Sequence, residues 1–266
     1  MKKIGFVDYY ISEWHANNYP AWIDAAGSDY KVTHVWAELD TSPLDGVTTD
    51  KWCADYGTKK CATIDELCTE CDAIIILAPS NPEKHLPYAK EVFKYGKPTY
   101  IDKAFAPNLD EAKEIFALAE KYSVPFFSTS ALRYADELAS FFDSKNTIIT
   151  GCGRNFPEYG IHMIEMAVKI LGESITDTSV VCQGNHRICY LSTEGGKQAT
   201  LVYAPKLPYS ISGEDVDGKP IYEKVESEFF RKLLCDIVRF FDEKTVSFDI
   251  AQTLEVIRIR DELLSK

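Results

Sequence analysis

The sequence predicts an α/β protein in two parts: a doubly wound parallel sheet at the amino end and a smaller α+β domain with a mostly antiparallel sheet. Three observations carry this reading. Over the first half of the chain, short apolar strands alternate with helical segments, the pattern that winds helices onto both faces of a parallel sheet. The run Asp72-Ala-Ile-Ile-Ile-Leu-Ala78 is unbroken and apolar, as a strand covered on both faces requires. Beyond Leu132 the texture changes, and three strand-like segments follow one another, the last two joined at Gly195-Gly196 in a hairpin. The predicted division is 1–131 and 132–266.

Bulk properties bound the function. A chain of 266 residues can build one large domain or two modest ones. With 45% hydrophobic and 26% charged residues it has ordinary globular composition. A net charge of −12 and a pI near 4.9 argue against nucleic acid or an anionic membrane as partner. No apolar stretch approaches a membrane span, and Met1-Lys2-Lys3 leads directly into a short strand instead of a signal-peptide core. Eight cysteines without such a signal read as the reduced thiols of a cytoplasmic protein. Cys68-Thr-Glu-Cys71 has no second pair at zinc spacing, so packed free thiols and no metal site are expected.

Taken in order, residues 3–7 form a first strand and 12–26 a helix capped by Ser12 and disturbed by Pro20. A second strand, 30–39, closes on Glu38 and Asp40. A turn-rich stretch leads to a short helix around Trp52, a small strand at 60–62, a helix at 64–68 and the apolar strand 72–78. After the turn Pro79-Ser80-Asn81-Pro82, the residues Leu86, Ala89, Val92 and Phe93 recur at helical spacing, and Gly96 ends that helix. Strand 98–102 then delivers Lys103 to its carboxyl end, the edge at which open α/β sheets bind ligands. Helix 109–122, with Ala112, Ile115, Phe116 and Ala119 on one side, and strand 124–128 complete the first part. The second part reads as strand 147–151, helix 158–171 stopped by Gly172, strands 179–183, 187–193 and 198–204, and helices 226–241 and 250–264.

Asn81, His85 four residues on, Gly96-Lys97 at a helix end and Asp102-Lys103-Ala104 after a strand make the chain resemble the Gfo/Idh/MocA family. These are nicotinamide-dependent oxidoreductases acting mostly on sugars and polyols. The family's Glu-Lys-Pro is Asp-Lys-Ala here: the lysine stands and both neighbours differ. The resemblance implies a Rossmann-like domain that binds NAD or NADP, with Pro79, Asn81 and His85 beside the cofactor. It also implies a trimmed substrate and oligomerisation domain, a homo-oligomer, and oxidation of a secondary alcohol or reduction of its ketone on a small sugar-like substrate. Glu158-Tyr-Gly-Ile-His162 matches the family's Asp-x-x-x-His, with Glu in place of Asp. By that match His162 is the acid/base, Glu158 positions substrate or imidazole, and Lys103 stabilises the developing alkoxide.

Several positions carry a plainer reading alongside. A dinucleotide fold wants Gly-x-Gly-x-x-Gly at its first turn, because only glycine lets the backbone approach the pyrophosphate. This chain has Asp8-Tyr-Tyr-Ile-Ser-Glu13 there, and Asp8, Tyr10 and Glu13 would crowd the phosphates. Two functions therefore stand: an NAD(P)-dependent dehydrogenase with Asp8, Tyr10 and Glu38 against the cofactor, and a cofactor-free relative that binds or regulates. Glu38 is placed for a ribose hydroxyl, or it is a solvated strand end. Tyr9, Tyr10 and Trp14 form a stacking wall or a half-buried aromatic cluster, and His15 falls where family members often carry a His. Glu158, His162 and Glu165 share a helix face. That face meets substrate, or it is a solvated stripe closed by a Glu165–Lys169 ion pair; no further His is placed to complete a metal site there. Arg133-Tyr134 reads as structural. The joint presence of Lys103, Glu158 and His162 favours the enzyme.

Overall fold

The computed structural model describes residues 1–172 and 174–266. The chain forms two compact units, Met1–Ser128 with Leu233–Ile250 and Thr129–Lys232 with Ala251–Lys266.

In the first unit the elements run β1 (Lys2–Asp8), α1 (Trp14–Ala25), β2 (Tyr30–Ala37), α2 (Thr49–Tyr56), β3 (Lys59–Lys60), α3 (Ile64–Glu70), β4 (Ala73–Ile76), α4 (His85–Val92), β5 (Thr99–Ile101), α5 (Leu109–Tyr122) and β6 (Phe126–Phe127). The strands lie in the order β3-β2-β1-β4-β5-β6, all parallel. That is the 3-2-1-4-5-6 order of a dinucleotide fold, and strand order reverses between β1 and β4. Every residue of β4 is buried, as its apolar run predicts. Gly5 serves packing: a Cβ there would lie 2.4 Å from Leu67 Cδ2, so only glycine lets α3 close on β1.

Helix α1 begins differently from the expectation of a Ser12 cap. Ser12 Oγ donates instead to Asp45 Oδ2 (2.7 Å), and Glu13 caps the helix. The competing partner lies 33 residues away, beyond any local pattern.

The second unit holds β7 (Asn146–Gly151), α6 (Phe156–Leu171), β8 (Ile175–Gln183), β9 (His186–Thr193), β10 (Gln198–Tyr203), β11 (Ser210–Glu214) and β12 (Pro220–Lys224). Two helices follow, α7 (Phe229–Glu243) and α8 (Ala251–Ser265). The sheet order is β12-β11-β7-β10-β9-β8, and only the β7–β10 pair is parallel. Strands β11 and β12 escape sequence reading because they are short and polar, with Gly213 inside the first and Pro220 opening the second; pairing of β11 onto β7 and of β12 onto β11, not propensity, makes them strands. One face of this sheet stays open. Register aligns Tyr222, Ser212, Ile148, Thr200, Tyr190 and Ser179 in a row across all six strands, with Tyr222, Ile148 and Tyr190 exposed.

The continuous second domain expected over 132–266 needs correcting. From Leu233 the chain packs with the first unit, where Phe240 meets Phe127 (centroids 4.8 Å apart) and Phe241 meets Tyr30 (5.4 Å). Asp242 accepts from Tyr30 Oη at 3.0 Å and pairs with Lys2. An apolar helix stripe announces that it covers something, not which sheet it covers. Among the described residues no helix is long and apolar enough to cross a membrane, and all eight cysteines are free.

Candidate active site

The carboxyl edge of the first sheet is built from acids. Asp8 ends β1, and its Oδ1 accepts from Tyr9 N (2.7 Å) and Ala78 N (2.9 Å), tying β1 to β4 where strand order reverses. Ala78 takes φ 57° to present that amide, a left-handed conformation that costs a residue with a Cβ. Asp8 Oδ2 is buried without a hydrogen-bond partner. Burial, and then the nearby Glu13 charge, push the Asp8 carboxyl well above the ordinary carboxylate range.

Glu13, 5% exposed, places its carboxylate on the first amides of α1: Oε1 accepts from Ala16 N (2.5 Å) and Oε2 from His15 N (2.8 Å). The His15 ring joins in, with Nδ1 3.1 Å from Glu13 Oε2 and Nε2 3.7 Å from Asp102 Oδ2. Asp102 closes the chain of groups, its Oδ1 3.3 Å from both Tyr19 Oη and Tyr100 Oη. Lys103 Nζ lies 3.8 Å from Asp102 Oδ2 and donates to Pro79 O at 3.2 Å, with its side chain 12% exposed. Strand β5 thus delivers the lysine to the ligand edge as its sequence predicts. The partner Glu13 comes from the turn where glycines would stand, and His15 from the first turn of α1.

The cofactor-side expectations divide. Glu38, just past β2, is exposed and accepts from Lys84 Nζ (2.5 Å) and Tyr88 Oη (2.8 Å). Partial burial pushes its carboxyl up, but these two donors outweigh it and hold the group below its usual value. Tyr10 is half-buried beside Tyr9, whose ring carries Lys84 Nζ at 4.5 Å. Asn81 N donates to Ala78 O, and Asn81 Nδ2 donates to Glu83. For His85 the cofactor contact has to be corrected. The ring has no exposed surface, with Nδ1 3.0 Å from Phe105 O and Nε2 2.5 Å from Leu77 O, and burial lowers its pKa. It is an internal strut between α4 and the strand ends. Trp14 is half exposed and packs edge-on against Trp22, the aromatic-cluster reading of that segment.

In the second unit, Asn155 caps α6 and Gly172 ends it in a left-handed turn. His162 is half-buried on this helix between the rings of Tyr159 (5.9 Å) and Tyr209 (6.0 Å), and its Nδ1 lies 2.7 Å from Ser130 Oγ. Ser130 also accepts from Leu132 N through Oγ and donates its own N–H to Glu165 Oε1 at 3.2 Å. Glu165 is buried and receives Arg133 Nη1 at 3.1 Å. Burial pushes its carboxyl up, and the Arg133 guanidinium opposes that. Lys169 Nζ donates to Arg133 O at 2.6 Å. The solvated stripe is therefore corrected: Glu165 faces inward to Arg133, not outward to Lys169. Glu158 carries its carboxylate on Arg154 (2.8 and 2.7 Å) in the first turn of the helix. Ser130, which holds the imidazole, had no sequence signal, since its partner is 32 residues away.

Residues 9–130 match the model of an oxidoreductase family with an NAD-binding Rossmann fold, Gfo/Idh/MocA. UDP-N-acetylglucosamine 3-dehydrogenase from Acidithiobacillus ferrooxidans superposes with a TM-score of 0.78 at 12% identity, over 98% of this chain and 96% of that one. Biliverdin reductase from Synechocystis, crystallised with biliverdin and NADP, superposes with a TM-score of 0.75 at 12% identity, over 99% and 98%. An uncharacterized oxidoreductase of Escherichia coli, YhhX, is 35% identical over 57 residues, which is 21% of this chain and 16% of that protein. Residues 9–130 thus match a family whose fold binds NAD, and the superposed structures share the fold of this chain. The residues present meet such a cofactor unevenly. Glu38 offers a carboxylate at the end of β2, where a ribose is held. At the amino end of α1, where the pyrophosphate belongs, Glu13 already accepts from the amides.

Proposed function

We propose that this protein interconverts a secondary alcohol and its ketone on a sugar- or polyol-like small molecule. His162 is the general acid/base, Lys103 stabilises alkoxide charge on the reacting oxygen, and Glu158 helps position substrate. The observation that carries the reading is the Ser130-anchored imidazole of His162 in a chain whose residues 9–130 match this oxidoreductase family. When His162 Nδ1–H donates to Ser130 Oγ, Nε2 keeps its lone pair, so the ring can accept the hydroxyl proton in one direction and return it in the other. Lys103, held on Pro79 O and near Asp102, is a cation on a short tether at the ligand edge. A nicotinamide, when bound, supplies hydride chemistry; the protein's own part is this proton and charge handling.

The test is a panel of inositols, hexoses and their keto forms, assayed with NAD(H) and NADP(H) by nicotinamide absorbance. Turnover of at least one member is expected, and Lys103→Met should lower kcat on it about 10²–10³-fold, the scale for losing one oxyanion stabiliser. No turnover across the panel, or a Lys103→Met enzyme equal to wild type, rejects the reading. A second reading, a cofactor-free binding protein, draws support from Glu13 on the α1 amides. It requires a sugar, and neither dinucleotide, to raise the melting temperature.

We further propose that a second copy of the chain covers the open face of the second sheet, since the exposed row of Tyr222, Ile148 and Tyr190 is more apolar than a solvated strand face needs. Light scattering should give twice the chain mass for wild type and the single mass for Tyr190→Asp. A monomeric wild type refutes it.

A further inference from the structure

We infer that Glu13 is a built-in anion that occupies the dinucleotide's pyrophosphate position on α1, so that cofactor and side chain compete for the same amides. This rests on the dinucleotide-dependent reading above.

Three observations converge. The first amides of α1 donate to a carboxylate of the chain itself, at 2.5 Å from Ala16 N and 2.8 Å from His15 N. In this fold those amides, with the positive end of the helix dipole behind them, are the donors a pyrophosphate needs. The carboxylate is also 5% exposed and held from a second side, by His15 Nδ1 at 3.1 Å, so it is a fixed occupant and not a passing surface group. Finally, the neighbour at the first glycine position, Asp8, is buried with one oxygen unpartnered and reaches across to Ala78 N. A phosphate brought to this turn would meet Glu13's charge and Asp8's side chain where glycines would leave space.

The consequence is a cofactor affinity set by the ease of displacing one side chain. Glu13→Ser keeps a good helix cap but withdraws the anion and its bulk. Glu13→Asp keeps both a cap and a charge. NADH and NADPH binding are measured by calorimetry for the three proteins, with inorganic pyrophosphate as competitor. Glu13→Ser should bind at least tenfold tighter than wild type, about 1.4 kcal/mol, and pyrophosphate should compete for it. Glu13→Asp should stay as weak as wild type. Equal, measurable affinity in all three overturns the inference and leaves the dinucleotide reading standing. Equal tightening in both variants also overturns it, because charge would not be the cause. No binding by any of the three overturns the inference and the dinucleotide reading together. Binding by Glu13→Ser alone upholds the inference and moves wild type to the cofactor-free reading.

Discussion

His162→Asn is expected to lower kcat/KM on an accepted alcohol by about 10²–10⁴-fold, the usual share of a positioned acid/base. Asparagine keeps a polar group beside Ser130 but cannot take up and return a proton near neutral pH. The wild-type rate should follow the titration of one group on its lower limb, and that limb should vanish in the variant. Ser130→Ala removes the hydroxyl 2.7 Å from Nδ1 and leaves the ring. It should cost about tenfold (about 1.4 kcal/mol, one hydrogen bond to an ionisable group) and move the lower limb instead of abolishing it. Ser130→Thr, which restores a hydroxyl, should recover most of the rate. Steady-state kinetics from pH 5 to 9 on all four proteins decide the matter. An intact lower limb in His162→Asn would mean that another group carries the proton.

The parts of this fold that were legible in the sequence are those whose cause is local. Strand β4 shows itself as an apolar run because both of its faces are covered, and Lys103 follows from counting along β5 to the ligand edge. Gly96 and Gly172 mark helix ends because a left-handed residue is needed at each. What stayed hidden depends on partners far along the chain. Ser12 and Glu13 are both plausible caps, and only Asp45, by taking the Ser12 hydroxyl, decides between them. Glu165 and Lys169 sit four apart and read as a helix-surface pair, yet Arg133, 32 residues away, takes the carboxylate inside. Strand β12 exists because β11 offers an edge, and β11 because β7 does.

Arg133→Met should destabilise the second unit by about 3–5 kcal/mol at neutral pH, the scale for leaving one member of a buried pair uncompensated. Arg133 and Glu165 are 6% and 5% exposed at their side chains, so water cannot take over the lost partner. The penalty depends on pH in a definite sense. Burial already raises the Glu165 carboxyl above its unfolded value, and removing the guanidinium that opposes this raises it further. A carboxyl with a raised folded pKa costs nothing below the ordinary glutamate value, near 4.3. The cost grows as pH climbs from there to the folded value and is complete above it. Urea unfolding at pH 5 and pH 8 should therefore show a smaller gap between variant and wild type at the lower pH. Adding Glu165→Gln to Arg133→Met removes the stranded charge, so the double variant should be more stable than Arg133→Met alone at pH 8 and should lack the pH-dependent loss that Glu165 causes in that variant. A gap for Arg133→Met that is the same at both pH values would show that its cost comes from lost packing of the arginine stem and not from a stranded carboxylate.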